Sequence, residues 1–390
     1  MPTRVPLAWR NLTHNRVRFA LALAGITFAV FLMFMQYGFR NALFDSTAEL
    51  LRRLNGELLI THKLKYQLAL PMEFSRRRIY QARSVEGVAA VEPVYMERYR
   101  SQWVSQEPDP AARSTRALRL LAVDPDGDAL AIPEVRANAA ALKSGGKVLF
   151  DERSRAAFGP RAPGTRAVLS GRDVTIIDTF RLGTDFTTDA TAVVGTGHFA
   201  ETFAHPLRDP APLSGVSIGV VRLEEGADPA EVLRRLRAVL PEDVTVRTRE
   251  EFVAQEIEFW QKSTPVGFAF GFGVAMGFVV GVIICYQILS ADVADHLAEY
   301  ATLKAIGYSD RYLTGVVLRQ ALTLALVGFV PGLAVSWLLY QVLSEWTGLP
   351  MVLTWGRVAL ILGLTVAMCA VSGVVALRRV RTADPAEVFG

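Results

Sequence analysis

Few side chains in the sequence have a type and spacing that could carry out chemistry. The nearest candidate for a phosphate-binding loop is "LKSGGKV", which contains Gly146 and Lys147. A Walker A loop needs a glycine five residues before its second glycine and a serine or threonine after the lysine. Ala141 and Val148 stand at those two positions. We therefore expect that this chain does not bind ATP by that route.

Spacings typical of metal ligands are missing as well. The five histidines stand at positions 14, 62, 198, 205 and 296, without regular spacing and without a cysteine beside them. Zinc sites use histidines and cysteines that lie a few residues apart. The segment "GTGHF" at 195–199 is more typical of a turn between strands than of an anion-binding loop. We expect no catalytic residue, no metal and no cofactor in this chain.

Four long stretches without charged residues dominate the sequence, in which 51% of the residues are hydrophobic. A helix needs about 20 residues, each rising about 1.5 Å, to cross the hydrocarbon core of a bilayer. The sequence predicts transmembrane helices at 19–39, 265–289, 321–343 and 358–377. The first stretch could be a cleaved signal peptide, but it is too long and no small-x-small cleavage site follows it. A retained span fits better.

Basic residues flank these stretches asymmetrically. They lie in the N-terminal segment, in the connector between the second and third stretches and in the tail: Arg4, Arg10, Arg16, Arg18, Lys304, Arg311, Arg319, Arg378, Arg379 and Arg381. By the positive-inside rule, segments 1–18, 290–320 and 378–390 are cytoplasmic, and segments 40–264 and 344–357 lie on the other side. We expect a multi-pass inner-membrane protein in contact with lipid. Its net charge of +4 reflects this topology, and we expect no nucleic-acid binding.

The N-terminal segment 1–18 has two open interpretations. "VPLAWRNLTHNRVR" places Leu7, Trp9 and Leu12 among arginines, which is typical of an amphipathic interfacial helix. It is equally consistent with a plain basic flank.

The 40–264 segment has the composition of a folded α+β domain. Short strand patterns alternate with helical ones, and the 147–200 part, with strands between glycine turns, predicts a β-rich subdomain. Helical patterns at both ends predict stalks that continue into the first and second spans. Both cysteines, Cys285 and Cys369, fall inside spans, so this domain has no disulfide available. The fold class expected is an α-helical membrane protein of four transmembrane helices with a large α+β extracytoplasmic domain between helices 1 and 2.

The predicted spans contain no Asp, Glu, Lys, Arg or His, whereas ion-coupled carriers need buried charged groups. If this chain moves a substrate, another chain must supply the energy. The second span has Gly273, Gly277 and Gly281 at four-residue spacing. Small residues with this spacing let helices approach closely, so we expect a packing face. The sequence leaves open whether it packs within the chain or across a dimer.

The connector between the second and third spans has an ordered helical pattern. "DHLAEYATLKAIGY" carries acidic residues early and Lys304 late, as the helix macrodipole favours, and Gly307 is placed to end the helix. Alanines and leucine fall on one face. A short helix with such a face suits the docking of a partner, although an ordinary solvated connector remains the alternative.

These residues carry a resemblance to a known family. "EYATLKAIGY" resembles the E-I-G-x-L-[KR]-A-[ILM]-G-[AY] segment of MacB/FtsX-type ABC transporter permeases. The tail "RTADPAEVF" is similar to the family's A-x-P-x-E-[AV] ending, and "NRVR" to the N-R-x-R before the first span. Asp295 and His296 stand where many relatives have an arginine, and Ala301 replaces a glycine. The Asp-His pair is similar to the DevC-like branch.

The resemblance implies a permease subunit that forms a homodimer and binds a separate ABC ATPase, which would hold the ATP and Mg. The docking site would be a coupling helix, with six matching residues: Glu299, Leu303, Lys304, Ala305, Ile306 and Gly307. It further implies mechanotransmission from the ATPase to the periplasmic domain. A periplasmic adaptor (membrane fusion) protein and an outer-membrane channel would complete a tripartite efflux complex that exports a lipid-like or amphiphilic substrate.

Two other functions remain open at this stage. The chain could be an FtsX-like signalling permease that activates a periplasmic enzyme without transport, although a domain of this size favours an exporter. It could also be a membrane-anchored scaffold without an ATPase, which the match at the connector disfavours.

Overall fold

The computed structural model describes residues 16–106, 115–204, 211–295, 299, 302, 306 and 308–382. The chain divides into two compact units. The helical unit comprises Met1–Asn41, Pro265–Leu343 and Met351–Gly390, and the α+β unit comprises Ala42–Thr264 and Ser344–Pro350. The predicted N-terminal interfacial helix (residues 1–15) and the tail motif (residues 383–390) lie outside the described residues.

The described residues form long helices in the first unit and short elements in the second. The helices are α1 (Arg16–Arg52), α2 (Arg77–Arg83), α3 (Pro133–Ala137), α4 (Ala139–Leu142), α5 (Thr196–Phe203), α6 (Pro229–Val239), α7 (Arg249–Ser263), α8 (Pro265–Asp295), α9 (Asp310–Thr347) and α10 (Trp355–Thr382). The strands are β1 (Leu58–His62), β2 (Phe74–Ser75), β3 (Val88–Glu97), β4 (Gln102–Ser105), β5 (Thr115–Ala117), β6 (Arg119–Val123), β7 (Lys147–Asp151), β8 (Arg166–Leu169), β9 (Arg172–Phe180), β10 (Thr191–Gly195), β11 (Gly215–Val216), β12 (Ile218–Leu223) and β13 (Val244–Thr248).

Four helices are long and apolar enough to cross a membrane: α1, α8, α9 and α10. Each is longer than the charge-free stretch that predicts it, because a helix continues through the interface once its apolar part ends. Helix α1 runs without a break from the first apolar stretch to Arg52. Helix α9 begins at Asp310 and continues through Pro331 to Thr347.

Eleven strands of the α+β unit join one sheet, in the order β13-β1-β12-β3-β6-β10-β7-β9-β8-β4-β5. The pairs β6–β10 and β7–β9 are parallel, and the other described neighbours are antiparallel. Strand β3 belongs to both halves, because its first part pairs with β12 and its last three residues, from Tyr95, pair with β6. The predicted β-rich segment 147–200 therefore does not form a sheet of its own. Its strands extend the common sheet.

Both faces of this sheet are buried. In β6 the alternate residues Leu120 and Ala122 belong to one hydrophobic cluster, and Leu121 and Val123 belong to the other. Alternate side chains of a strand point to opposite faces, so a continuous apolar run such as this one needs cover on both sides. Helices α2 and α6 supply cover on the first side, and the end of α1 with α3 and α7 supplies it on the second.

Local signals fix the ends of the helices that flank the last strand. Asp228 caps α6, its carboxylate accepting a hydrogen bond from the Ala230 amide at 3.0 Å. Thr248 and Glu251 form a reciprocal capping box at the start of α7, with both hydrogen bonds at 3.0 Å. Such boxes satisfy amide groups that have no partner in the first turn. Helix α7 therefore begins directly at the end of β13.

Candidate functional site

The predicted docking segment connects α8 to α9. Among its described residues, Glu299 and Thr302 are helical and exposed, and the amide of Ile306 donates to the carbonyl of Thr302 at 3.0 Å. The Ile306 side chain is 70% exposed. Leu303, Lys304, Ala305 and Gly307, which complete the predicted docking face, lie outside the described residues. The described part is thus a helical turn with one acidic and one large apolar side chain open to solvent.

The two helices that carry the connector are tied together at its base. Gln320 in α9 is fully buried and donates a hydrogen bond through Nε2 to the Asp292 carboxylate in α8 at 3.2 Å. At the start of α9, the rings of Tyr308 and Tyr312 lie 4.8 Å apart. One hydrogen bond therefore joins α8 and α9 at the base of the connector.

The glycine face of the second span packs within the chain. A Cβ at Gly273 would lie 2.5 Å from the Gln36 side chain, and one at Gly277 would lie 3.2 Å from Met33. At Gly281 it would lie 2.9 Å from the Ala29 Cβ, with the Met368 sulfur nearer still. The three glycines therefore let α8 approach α1 and α10 closely, as small residues do in membrane helices.

Backbone-directed hydrogen bonds add to this packing. The Ser372 hydroxyl of α10 donates to the Val282 carbonyl of α8 at 2.9 Å, and the Tyr340 hydroxyl of α9 donates to the Phe34 carbonyl of α1. Buried hydroxyls in an apolar bundle need such acceptors. Each of these bonds joins two different span helices.

Both stalk helices contact one loop of the α+β unit. This loop, residues 183–188, follows β9. The Phe186 ring lies 6.3 Å from the ring of Phe44 in α1 and 5.1 Å from that of Trp260 in α7, nearly parallel to the latter at 14°. Aromatic pairs at these separations contribute beyond the area that they bury. A movement of either stalk therefore reaches the same loop.

A buried carboxylate, that of Glu256, lies on the face of α7 that packs against the rest of the α+β unit. Glu256 is 1% exposed, and its two oxygens accept hydrogen bonds from the Trp260 indole at 2.8 Å and the Leu68 amide at 2.6 Å. Burial raises the pKa of Glu256, and those two hydrogen bonds oppose the rise. Phe252, Glu256 and Trp260 follow one another at four-residue spacing, so this helix face could have been read from the sequence.

A buried positive charge, Lys65, lies near this carboxylate. Lys65 is 1% exposed and donates through Nζ to the carbonyl oxygens of Leu70 and Met72. Burial lowers the pKa of Lys65 to about 8, and the attraction of Glu73 and Glu256 works in the opposite direction. Sequence reasoning missed this lysine, because an isolated lysine in a loop is normally exposed.

The 183–188 loop is held by an ion pair. Arg119 in β6 pairs with Asp185, and both side chains are buried. Arg119 also donates to the Thr187 hydroxyl at 2.9 Å. Breaking one side of such a buried pair leaves an uncompensated charge, so the loop position is strongly determined.

Two residues of types that are common in catalytic sites, Ser217 and His198, have structural roles. The stretch 215–219 reads G-x-S-x-G, but Ser217 lies between two strands rather than at a strand–helix turn, and its buried hydroxyl accepts from the Met96 amide at 3.0 Å. His198 is buried, with Nδ1 accepting from the Gly146 amide at 3.1 Å, and burial lowers its pKa. Within the described ranges, no group of three or more potential metal ligands comes together.

One family model matches part of the chain, in the region of the last three spans. Residues 271–385 match the FtsX family, described as FtsX-like permease C-terminal. The matched range takes in most of α8, the connector, α9 and α10. No curated protein matches the chain in sequence.

Two solved structures are similar to part of the chain. One is the extracellular domain of the noncanonic ABC-type transporter YknZ from Gram-positive bacteria, 15% identical, covering 49% of this chain and 98% of that one, with a TM-score of 0.33. The other is the periplasmic region of MacB from Actinobacillus actinomycetemcomitans, 10% identical, covering 53% of this chain and 94% of that one, with a TM-score of 0.37.

Proposed function

We propose that the chain is the permease subunit of an ABC-type exporter of the MacB/FtsX type, closest to the DevC-like branch. The observation that carries the proposal is the match of residues 271–385 to the FtsX-like permease C-terminal family. Four apolar helices and one α+β unit fit this function, and most of that unit lies in the sequence between the first and second of these helices. In this function the chain is not an enzyme, and a separate ATPase binds the ATP and Mg.

The exposed connector is the proposed coupling helix. Glu299 and Ile306 stand open to solvent between α8 and α9, and the Asp292–Gln320 hydrogen bond joins the two helices behind them. An ATPase docked here would move both helices together.

The stalk helices provide the route to the α+β unit. Helix α1 has 37 residues and is therefore about 55 Å long at 1.5 Å per residue, and it continues along the chain from the first span to Arg52 in the α+β unit. Helices α7 and α8 follow each other with only Thr264 between them. Because Phe44 and Trp260 both contact Phe186, a relative shift of the stalks repositions the 183–188 loop. This is the proposed mechanotransmission.

The remaining parts of the proposal rest on the resemblance in the connector and tail. They are a homodimer in the inner membrane with cytoplasmic termini, a periplasmic α+β unit, a periplasmic adaptor and an outer-membrane channel. The exported substrate would be lipid-like or amphiphilic. FtsX-like signalling to a periplasmic enzyme is the alternative.

Affinity purification from detergent-solubilised membranes tests the proposal. Wild type is compared with Glu299→Arg and with the control Glu225→Arg, which reverses an exposed charge in the α+β unit. Mass spectrometry then identifies the chains that co-purify. We expect an ATPase and an adaptor with wild type and with Glu225→Arg, and loss of the ATPase with Glu299→Arg.

Other results would change the conclusion in defined ways. A cell-wall hydrolase in place of the adaptor would favour the signalling permease. Absence of any ATPase from all three samples would exclude a transporter subunit and favour a membrane-anchored scaffold.

A further inference from the structure

A cavity of about 530 Å³ lies where the last turn of α9 meets the strand ends of the α+β unit. All of its lining residues belong to that unit. Its wall contains four arginines and two glutamates: Arg153, Arg155, Arg161, Arg181, Glu152 and Glu345. Its volume falls in the range of small-molecule sites, about 300–1,000 Å³.

The arginines of the cavity are not all neutralised. Arg181 is bound in a two-point ion pair to Glu152 at 2.9 and 3.0 Å, and Arg155 pairs with Asp189 at 2.9 Å. Arg161 instead donates to carbonyl oxygens, one of them that of Glu152 at 2.9 Å. The Arg153 guanidinium has no hydrogen bond or ion pair with any described residue. Arg153 and Arg161 thus form no ion pair with a described carboxylate. The pKa of Glu152 is nevertheless lowered, first by its hydrogen bonds with Arg181 and to a smaller extent by the charges of Arg153 and Arg161, so both arginines remain close to one negative charge.

An unpaired buried hydroxyl also belongs to the wall. The Ser154 side chain is 2% exposed, and its Oγ has no hydrogen-bond partner among the described residues. Buried polar atoms are nearly always paired, so an unpaired one calls for an explanation. The Oγ atom itself has almost no exposed surface, so a bound anion does not contact it directly and only a buried water could pair with it.

The position of the cavity along α9 identifies the source of the anion. The charge-free stretch of α9 ends at Leu343, and Ser344, Trp346 and Thr347 line the cavity. At about 1.5 Å per residue, these residues lie within roughly 6 Å of the end of the apolar segment. Trp346 is 83% exposed there, and tryptophan concentrates at the level of lipid headgroups. A lipid phosphate is the anion present at that level.

We propose that this cavity binds the phosphate headgroup of an anionic lipid from the leaflet in which α9 ends. Guanidinium groups bind phosphate oxygens in pairs, so arginines at the level of the headgroups suit the phosphate of an anionic lipid. Arg153 and Arg161 contact the phosphate, and Trp346 lies beside the glycerol region. Glu345 is the opposing charge in the wall and sets a limit on the affinity. The proposal is independent of the transport function.

Native mass spectrometry of the full chain in detergent tests this site. The protein is titrated with phosphatidylglycerol, with phosphatidylcholine of the same acyl chains, and with inorganic phosphate. Arg153→Gln should weaken phosphatidylglycerol binding about tenfold and remove the preference for it, since a hydrogen bond to a charged group contributes about 1.5–3 kcal/mol. The matched control, Arg77→Gln, removes an exposed arginine on α2 and should change nothing.

A second variant protects the test against a folding defect. Glu345→Gln removes the opposing charge and should tighten phosphatidylglycerol binding several-fold, an increase that misfolding cannot produce. The lipid site is overturned if Arg153→Gln binds lipid like Arg77→Gln, or if Glu345→Gln has no effect. Equal binding of inorganic phosphate would overturn the lipid as occupant and leave a site for free phosphate.

Discussion

Replacing Gly281 by alanine tests the packing of the second span. The new Cβ would lie 2.9 Å from the Ala29 Cβ, whereas carbon atoms pack best at about 3.5–4.0 Å. The Met368 sulfur can swing away, but Ala29 is on the backbone of α1, so the helices must separate. Overpacking of this kind costs about 1–3 kcal/mol.

Gly271 offers a matched control on the same helix. A Cβ there meets no heavy atom within 4 Å, so Gly271→Ala keeps only the gain in helix propensity, about 1 kcal/mol. Gly281→Ala has the same gain, which cancels in the comparison. We therefore expect Gly281→Ala to be less stable than Gly271→Ala by about 1–3 kcal/mol.

Thermal unfolding in detergent, followed by size-exclusion chromatography, measures this difference. At about 2–4 °C per kcal/mol, the midpoint of Gly281→Ala should lie several degrees below that of Gly271→Ala. The oligomeric state should be the same for both. Equal midpoints, or a change in oligomeric state with Gly281→Ala alone, would refute packing within the chain and place this face at a contact between copies.

Three further changes have defined outcomes. Because burial lowers the pKa of Lys65 from 10.5 to about 8, its buried charge destabilises the fold below pH 8, and this cost is lost as pH rises to 10.5. The free energy of unfolding of the wild type, compared with that of Lys65→Met, should therefore rise by about 3 kcal/mol between pH 8 and pH 10.5. Chemical denaturation at a series of pH values measures this difference. A difference between the two proteins that does not change with pH would contradict the burial of Lys65. The sulfurs of Cys285 and Cys369 lie 3.4 Å apart, so oxidation with copper phenanthroline should form a disulfide between them within one chain. Intact mass spectrometry should show the loss of two hydrogens. A cross-linked dimer would contradict the packing of α8 on α10. Thr248→Ala should destabilise the α+β unit by about 1 kcal/mol in thermal unfolding, and Thr248→Ser should not, because serine keeps the capping oxygen.

The sequence predicts the long elements because their signals are local. Charge-free stretches of about 20 residues identify the spans, and the apolar run from Leu120 to Val123 in β6 indicates a strand that is covered on both faces. The order of the eleven strands could not be predicted. It depends on pairings such as Leu58 with Val221 and Leu58 with Thr248, between residues far apart in the chain.

The candidate site, too, could be predicted from the sequence only in part. The spacing of Gly273, Gly277 and Gly281 predicts a packing face, but only the structure identifies α1 and α10 as its partners. Lys65 carries a charge that a sequence pattern places at the surface, and only the structure shows that it is buried. The connector is predicted as a helix. Of its described residues, Glu299 and Thr302 are helical, Ile306 lies in a turn, and all three are exposed.

The distance between the two stalks under ATP tests the central claim most directly. Spin labels at Arg52→Cys and Gln261→Cys, in a chain with Cys285→Ala and Cys369→Ala, report the separation of α1 and α7 by pulsed electron paramagnetic resonance. The complex is reconstituted with its co-purifying ATPase. We predict one distance distribution without nucleotide and a shifted one in the ATP-bound state, with no shift in Glu299→Arg. Identical distributions in the wild-type complex, with ATP hydrolysis intact, would contradict transmission through the stalks.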